Sequence, residues 1–320
     1  MMQDKKWSHH TVRKNVSLKA HSAYRIGGIA RYFAEVDTVD VLREVAQEAQ
    51  HHAVPLFILG GGTNILFTDM LFPGLILKPL LRFIEEQNGM IRVGAGTLMS
   101  ELVSYATKKG LSGLEWAGGL PGTVGGAIRG NAGAFGGEIK DCIQEVTSLH
   151  ISHHLFPIQV RTKKECQFDY RTSIFKTRVN QDVILSAACV LTKGNKKNIR
   201  AAVEEKITYR KKRHPLEYPN IGSIFKNVPL AHFSQKILSS CTHVIKNDPF
   251  PLVPTAYLIA TVGLQGMRVG DSMISEKHPN FLVNCGDARA KDVCALIHHI
   301  KKVVKKKYGV VLEEEIIKVG

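Results

Sequence analysis

Four short stretches hold side chains that could act on a small substrate. Arg171 stands in Phe168-Asp169-Tyr170-Arg171-Thr172-Ser173. A guanidinium flanked by aromatic residues can clamp an anion, because its fork of donors matches a carboxylate. The competing reading is a stacked or ion-paired structural arginine. Ser223 stands in Pro219-Asn220-Ile221-Gly222-Ser223-Ile224-Phe225-Lys226-Asn227, where the glycine permits a sharp turn and Lys226 and Asn227 add donors. The chain has no G-x-S-x-G elbow with a paired histidine, so Ser223 suits a proton donor better than an acylated nucleophile. A third stretch, Ser275-Glu276-Lys277-His278-Pro279-Asn280-Phe281, is a dense polar turn feeding a strand, and taken alone it reads best as an N-capped turn with a surface ion pair. The fourth, Leu312-Glu313-Glu314-Glu315-Ile316-Ile317, sets three carboxylates in a closing strand expected over 310–319. Alternation there separates Glu313 and Glu315 from Glu314. At least one should line a polar cleft unless the strand is a solvated edge.

Glycine turns must position these groups. Residues 118–137 read GGLPGTVGGAIRGNAGAFGG, nine glycines in twenty residues with Arg129 as the only charge. A flexible linker would carry serine and charge, whereas this run carries Leu120, Val124, Ile128 and Phe135. It reads as a buried loop whose exposed amides cradle an anion such as a pyrophosphate, or else as a bend needed for tight packing. The apolar run Pro55–Leu59 enters Gly60-Gly61-Gly62-Thr63-Asn64, a second potential nest of donors, with Asn64 expected to tolerate the left-handed region. Tyr24-Arg25-Ile26-Gly27-Gly28 is a third turn. None has the GxxxxGK[ST] or the strand–GxGxxG–helix pattern, which excludes the common nucleotide folds.

The bulk properties leave room for two or three domains in 320 residues. The net charge of +15 raises nucleic-acid binding, with lysine and arginine dense in 210–213 and 301–307. The chain has only two tryptophans and no aromatic ladder beside those runs, so solvated helix faces are the simpler explanation. A positive field would also steer an anionic substrate. Six scattered cysteines without C-x-x-C indicate reduced thiols, and the four adjacent histidine pairs are poor chelates, so no metal is expected. No apolar run spans a bilayer and residues 1–15 lack a signal-type apolar core, so the expected location is the cytoplasm, with no membrane or nucleic-acid partner and a monomeric state. Periodicity predicts helices over 37–52 with Asp37 as N-cap, 98–109 closed by Gly110, 196–213, 255–262 and 291–308 capped by Gly309.

Read in order, these stretches resemble the UDP-N-acetylenolpyruvoylglucosamine reductase (MurB) family. The resemblance runs from YRIGG (24–28) through LGGGTNIL (59–66), GGLPGTVGGAIRGNAGAFGGE (118–138), FDYRTSIFK (168–176) and HPLEYPNIGSIFKN (214–227). It continues through GLQGMRVGDSMISEKHPNFLVN (263–284) to LEEEIIKVG (312–320), and the SEKHPNFLVN segment is similar to the shorter, second type. The resemblance implies an α+β fold: an FAD-binding part of the p-cresol methylhydroxylase/vanillyl-alcohol oxidase type in two subdomains (18–82 and 83–207), then a smaller substrate domain (208–320). It implies that NADPH reduces FAD, which passes hydride to UDP-N-acetylglucosamine enolpyruvate to give UDP-N-acetylmuramate for peptidoglycan.

By the same resemblance Arg171, Ser223 and Glu315 are catalytic, while Tyr170, Lys226 and Asn227 contact substrate. Cofactor contacts are implied at Tyr24, Arg25, Gly27 and Gly28; at Gly60, Gly61, Gly62, Thr63 and Asn64; and at Gly119, Pro121, Gly122, Thr123, Gly125, Gly126, Asn131, Ala132 and Gly133. Lys226 is a candidate to polarise Ser223. The chain departs from the family at an extra stretch near 230–254, and at Ala256-Tyr257 and Ala260 in the helix that follows. An FAD-dependent small-molecule oxidase of the same fold group is the alternative enzyme.

Overall fold

The structure, a computed structural model, describes residues 5–179 and 181–320. The described residues form two compact units: residues 5–16, 30–61, 72–179 and 181–208 make the first, and residues 17–29, 62–71 and 209–320 the second. Two short early segments thus cluster with the C-terminal third.

Two larger sheets build the first unit. In one, the strands run in the order Arg13–Ser17, Ile29–Val36, Phe72–Pro79, Leu56–Ile58. Phe72–Pro79 pairs parallel with both Ile29–Val36 and Leu56–Ile58. A parallel pair needs a crossover, and the helix Val39–His51 supplies it, burying Leu42, Val45, Ala46 and Ala49. Its N-cap is Thr38, whose Oγ1 accepts from the Val41 amide at 3.3 Å, so the helix starts one residue later than the Asp37 cap predicts.

The other sheet is antiparallel, in the order Ile158–Thr162, Ile143–His150, Asp182–Cys189, Met90–Gly94, Ile84–Gln87. Its central strand Asp182–Cys189 is buried at every position, as expected of a strand covered on both faces. The helix Met99–Lys109 ends at Gly110 with φ 71°, the left-handed cap the sequence predicts.

Glycine-rich 118–137 is more ordered than a loop. It contains a short helix, Val124–Gly130, between Thr123 and Asn131. Glycine is a poor helix former, so local propensity argues against this helix. Its ends and one face sustain it. Thr123 Oγ1 accepts from the Gly126 amide, Asn131 closes it at φ 42°, and Val124, Ala127 and Ile128 are buried at i, i+3 and i+4.

The second unit packs the helix Ala290–Tyr308 against the antiparallel strands Arg268–Val269, Ser272–Ile274 and Leu282–Asn284. The apolar face of that helix, Val293, Leu296, Ile297, Ile300 and Val304, is fully buried. The closing strand is shorter than predicted. Only Ile317–Val319 pairs, in parallel with Ile65–Phe67, while Glu314 makes a single bridge to Phe225. The extra stretch near 230–254 is a folded insert. Its strands Lys246–Asn247 and Pro251–Val253 form a sheet with Val228–Pro229, and Phe233, Cys241 and Val253 enter the core of the unit.

Candidate active site

In the first unit a cavity of about 80 Å³ opens where two glycine turns meet the sheets. Gly60 from the end of strand Leu56–Ile58, and Thr123, Gly125 and Gly126 from the glycine-rich segment, form one wall; Phe57, Ile58, Pro79, Phe175 and Ile184 give apolar walls. The approach of the two turns demands glycine at particular places. A Cβ on Gly61 would lie 2.8 Å from the Gly122 Cα, and one on Gly60 2.9 Å from Thr123 Oγ1. Gly126 differs, since its Cβ would meet only Thr123 Oγ1 at an ordinary 3.5 Å. The left-handed conformations at Gly119 (φ 72°) and Gly122 (φ 102°), on either side of Pro121, allow the turn itself.

Arg171 lies in the same unit, on a two-residue turn closed by paired backbone bonds between Asp169 and Thr172. Its own φ is 56°, unusual for a side chain of this size and typical of residues held for a purpose. The turn is over-determined. Asn131 Nδ2 donates to the Asp169 carbonyl at 2.9 Å, and Lys176 Nζ donates to the Arg171 carbonyl at 2.7 Å. The guanidinium donates to the Gly133 carbonyl at 2.7 Å, approaches Glu138 at 3.8 Å and lies over the Tyr170 ring at 5.0 Å. The charged group is therefore fixed to the last part of the glycine-rich segment.

The second unit presents Ser223 on a different kind of frame. The Phe225 amide donates to Asn280 Oδ1 at 3.0 Å, and Asn280 Nδ2 donates back to the Phe225 carbonyl at 2.8 Å. On the other side the Lys226 amide donates to the Glu313 carbonyl, and the Glu315 amide to the Ile224 carbonyl. Residues 223–226 are thus held between 280–281 and 313–315. Backbone bonding brings the serine and glutamate stretches together, leaving the side chains of Ser223 and Glu315 partly exposed.

Two sequence expectations need correction, Lys226 as the polariser of Ser223 and a left-handed Asn64, and other named residues have partners of their own. Lys226 is not aimed at Ser223: its Nζ donates to Glu313 Oε1 at 2.5 Å. Asn227 Oδ1 accepts from the Thr255 amide at 3.2 Å, which ties it to the start of helix Thr255–Thr261. Of the three carboxylates, Glu314 is spoken for. Burial pushes its pKa up, but the ammonium groups of Lys301 at 2.7 Å and Lys318 at 2.6 Å hold it below the usual glutamate value. Asn64 does not take the left-handed conformation, which falls at Gly62 (φ 65°). Instead Asn64 Nδ2 donates to the Glu315 carbonyl at 3.1 Å and the Asn64 carbonyl accepts from Ile317, with Thr63 just before it.

Tyr24 is a core residue of the second unit with no exposed surface, and burial raises its pKa. Arg25 follows at φ 54° in the turn closed onto Ser22. Gly27 and Gly28 answer to packing, because a Cβ on Gly28 would stand 2.2 Å from the Met70 carbonyl oxygen. In the first unit Asn131 is likewise wholly employed, donating to Asp169 and accepting from the Lys140 amide at 3.3 Å, while Ala132 bonds back to Ala127.

Two cavity residues carry no signal that sequence pattern could rank. One is Asp182, fully buried and paired with Arg161 (3.2 Å) and His150 (3.2 Å). The other is Arg129, the lone charge of the glycine-rich segment, which lines the cavity directly.

Glycine turns bordering a cavity with apolar walls and a cation suit an anionic dinucleotide, and the comparisons agree. Residues 30–150 match the FAD binding domain family, and the fold is the FAD-binding type anticipated above, so the protein is an FAD-containing oxidoreductase. Residues 214–319 match the description "UDP-N-acetylenolpyruvoylglucosamine reductase, C-terminal domain". The chain is 36% identical to UDP-N-acetylenolpyruvoylglucosamine reductase of Lachnoclostridium phytofermentans, covering 96% of this chain and 92% of that one. It is 34% identical to the same-named protein of Halalkalibacterium halodurans, covering 97% and 94%. The crystal structure of the Thermus caldophilus enzyme superposes with a TM-score of 0.75 at 30% identity, over 97% of this chain and 100% of that one. The chain belongs to the UDP-N-acetylenolpyruvoylglucosamine reductase family.

Proposed function

We propose that the protein reduces UDP-N-acetylglucosamine enolpyruvate to UDP-N-acetylmuramate in peptidoglycan precursor synthesis, with Arg171, Ser223 and Glu315 as its catalytic side chains. Bound FAD supplies the redox chemistry, accepting hydride from NADPH and delivering it to the substrate alkene.

Hydride arriving at the alkene carbon remote from the carboxylate leaves an enolate-like dianion on the substrate. Such charge is stabilised best by donors already fixed in place. The observation that carries the reading is the Arg171 turn, a guanidinium held at φ 56° by Asn131, Gly133 and Lys176. Arg171 binds the substrate carboxylate and holds its developing charge, and Glu315 assists. Ser223 gives a proton to the neighbouring carbon. Because Lys226 is engaged by Glu313, Ser223 needs a polarising partner other than Lys226. Tyr170, Lys226 and Asn227 contact substrate. Among the glycine turns, the cofactor is held chiefly by Gly60, Thr123, Gly125 and Gly126, whose neighbours Gly61 and Gly122 keep the turns close.

No helix among the described residues is long and apolar enough to cross a membrane. We propose work on a nucleotide-sugar in the cytoplasm by a monomer, a reading that rests on the family's substrate. The test is spectroscopic. The purified protein should be yellow, bleach with NADPH and recover its absorbance on adding the enolpyruvyl sugar. Recovery driven by oxygen alone, with the sugar making no difference, would replace this reading with that of an oxidase.

A further inference from the structure

Arg129 is the only charged residue in the twenty-residue glycine-rich segment, and the proposed reaction gives it no task. It sits on the helix Val124–Gly130 and lines the cavity together with Gly60, Thr123 and Gly126. Burial lowers its pKa from the usual arginine value, yet no carboxylate pairs with its guanidinium and no carbonyl accepts from it among the described residues. The guanidinium is only half-buried, so water can reach it, but no protein group offsets its charge and an anion in the cavity would. The other charged group on the cavity, Asp182, is no counter-ion for it. That carboxylate accepts from Arg161 at 3.2 and 3.3 Å and from Ser148 at 3.4 Å, and stands 3.2 Å from His150. With Arg161 beside it, Asp182 also offers little repulsion to an anion entering the cavity.

We infer that the Arg129 guanidinium is the counter-charge for a nucleotide diphosphate bound in this cavity, namely that of FAD. The inference rests on the flavin reading of residues 30–150. The bare backbone at Gly60 and Gly126 lets a phosphate approach closely, and the aromatic and aliphatic wall of Phe57, Pro79 and Phe175 suits a flat heterocycle beside it. FAD, NADPH and the UDP-sugar all carry a diphosphate, so the chemistry alone fits three sources. The placement of Arg129 inside the FAD-binding unit selects FAD.

The test uses the holoenzyme. Its equilibrium FAD dissociation constant is measured by dilution, following the fluorescence of released flavin, for the wild type, Arg129→Met and Arg129→Lys. Losing a charge-assisted contact should weaken FAD binding roughly ten- to hundredfold in Arg129→Met. Arg129→Lys should recover most of the affinity. Binding by the wild type should weaken as salt is raised, and binding by Arg129→Met should respond less. The NADPH concentration that half-bleaches the flavin, and inhibition by UDP, should stay as in the wild type.

Unchanged FAD affinity in Arg129→Met would overturn the inference, as would a loss that lysine does not restore. A change confined to NADPH or UDP would assign the guanidinium to a different diphosphate and equally overturn the FAD assignment. If Arg129→Met does not fold, Arg129→Lys and the wild-type salt response decide, and a flat salt response counts against the proposal. A wild-type protein that carries no flavin would instead sink the FAD reading itself, and that outcome is visible before any variant is made.

Discussion

The glycine-rich wall of the first unit and the 220–227 stretch of the second prepare for chemistry in opposite ways. At Gly60, Gly125 and Gly126 side chains are absent and the backbone lies next to a cavity. Around Ser223 the backbone is consumed, with the amides of Ile224, Phe225 and Lys226 all bonded to residues 280 or 313, and only side chains remain for work. In the first region the damaging change is therefore an added side chain, and the lesion is in binding. In the second it is a removed one, and the lesion is in turnover with the frame intact.

Ser223→Ala is the sharpest probe of that contrast. None of the backbone bonds that hold residues 223–226 involves the serine hydroxyl. We expect the variant to fold, to hold its flavin and to be bleached by NADPH at the wild-type rate. Overall turnover should fall by about 10²–10⁴-fold, the range for a lost general acid. Equal losses in the two half-reactions, measured by stopped-flow absorbance, would make Ser223 a structural residue and erase the distinction.

Arg171→Ala should cost about 10²–10³-fold in turnover, in line with removing one fixed electrostatic donor. The glycine-rich segment should keep its bound flavin, because the turn is also pinned by Asn131 and Lys176. Arg171→Gly separates strain from charge. Glycine adopts φ 56° without penalty, so this variant should melt no lower than Arg171→Ala while being just as inactive. Loss of flavin from both would move Arg171 from the substrate side of the chemistry to the cofactor side.

Legibility in the sequence follows the same division. The helix Ala290–Tyr308 and the glycine caps at 110 and 309 could be read from spacing, since apolar periodicity and positive φ are local demands. The helix Val124–Gly130 could not, because local propensity opposes it and tertiary burial of Val124, Ala127 and Ile128 overrides that preference. Pairings made far apart in the chain were also hidden. Asn280 bonds Phe225 across 55 positions and Lys226 meets Glu313 across 87, so a lysine three residues from Ser223 could pass for its partner. Arg129 was visible only as a charge among glycines, and its lack of any partner is a property of the folded unit.

A smaller effect tests whether the bare wall depends on the particular glycine. Gly61→Ala would bring a Cβ to 2.8 Å from the Gly122 Cα, where backbone on both sides must move. Overpacking of this kind costs about 1–3 kcal/mol, and flavin should be held more weakly as the two turns part. Gly126→Ala meets only Thr123 Oγ1 at 3.5 Å and lies in a helix, where alanine is favoured over glycine by about 0.5–1 kcal/mol. Thermal melts of the flavin-free protein should therefore rank Gly126→Ala at or above the wild type and Gly61→Ala below it. Equal melting of the two variants would show that the turns are not in the close contact described.

The last expected effect concerns acid. In the second unit His214 and His278 pack edge-on at 5.4 Å, both against Phe281, and His278 Nδ1 is buried without a hydrogen bond. Burial lowers both pKa values to about 4, helped at His214 by His278, Arg210 and Lys277 and at His278 by Lys246. In the folded unit both rings thus stay neutral down to about pH 4, whereas the unfolded chain takes up their protons below about pH 6.5. The unfolded state binds more protons between those limits, so stability must fall as pH drops from about 6.5 to about 4 and stop responding to these groups below that. Denaturant midpoints across this window should show the slope, and His278→Phe should reduce it to the His214 contribution, because Phe cannot be protonated in either state. A slope that survives His278→Phe undiminished would place the acid sensitivity elsewhere in the molecule.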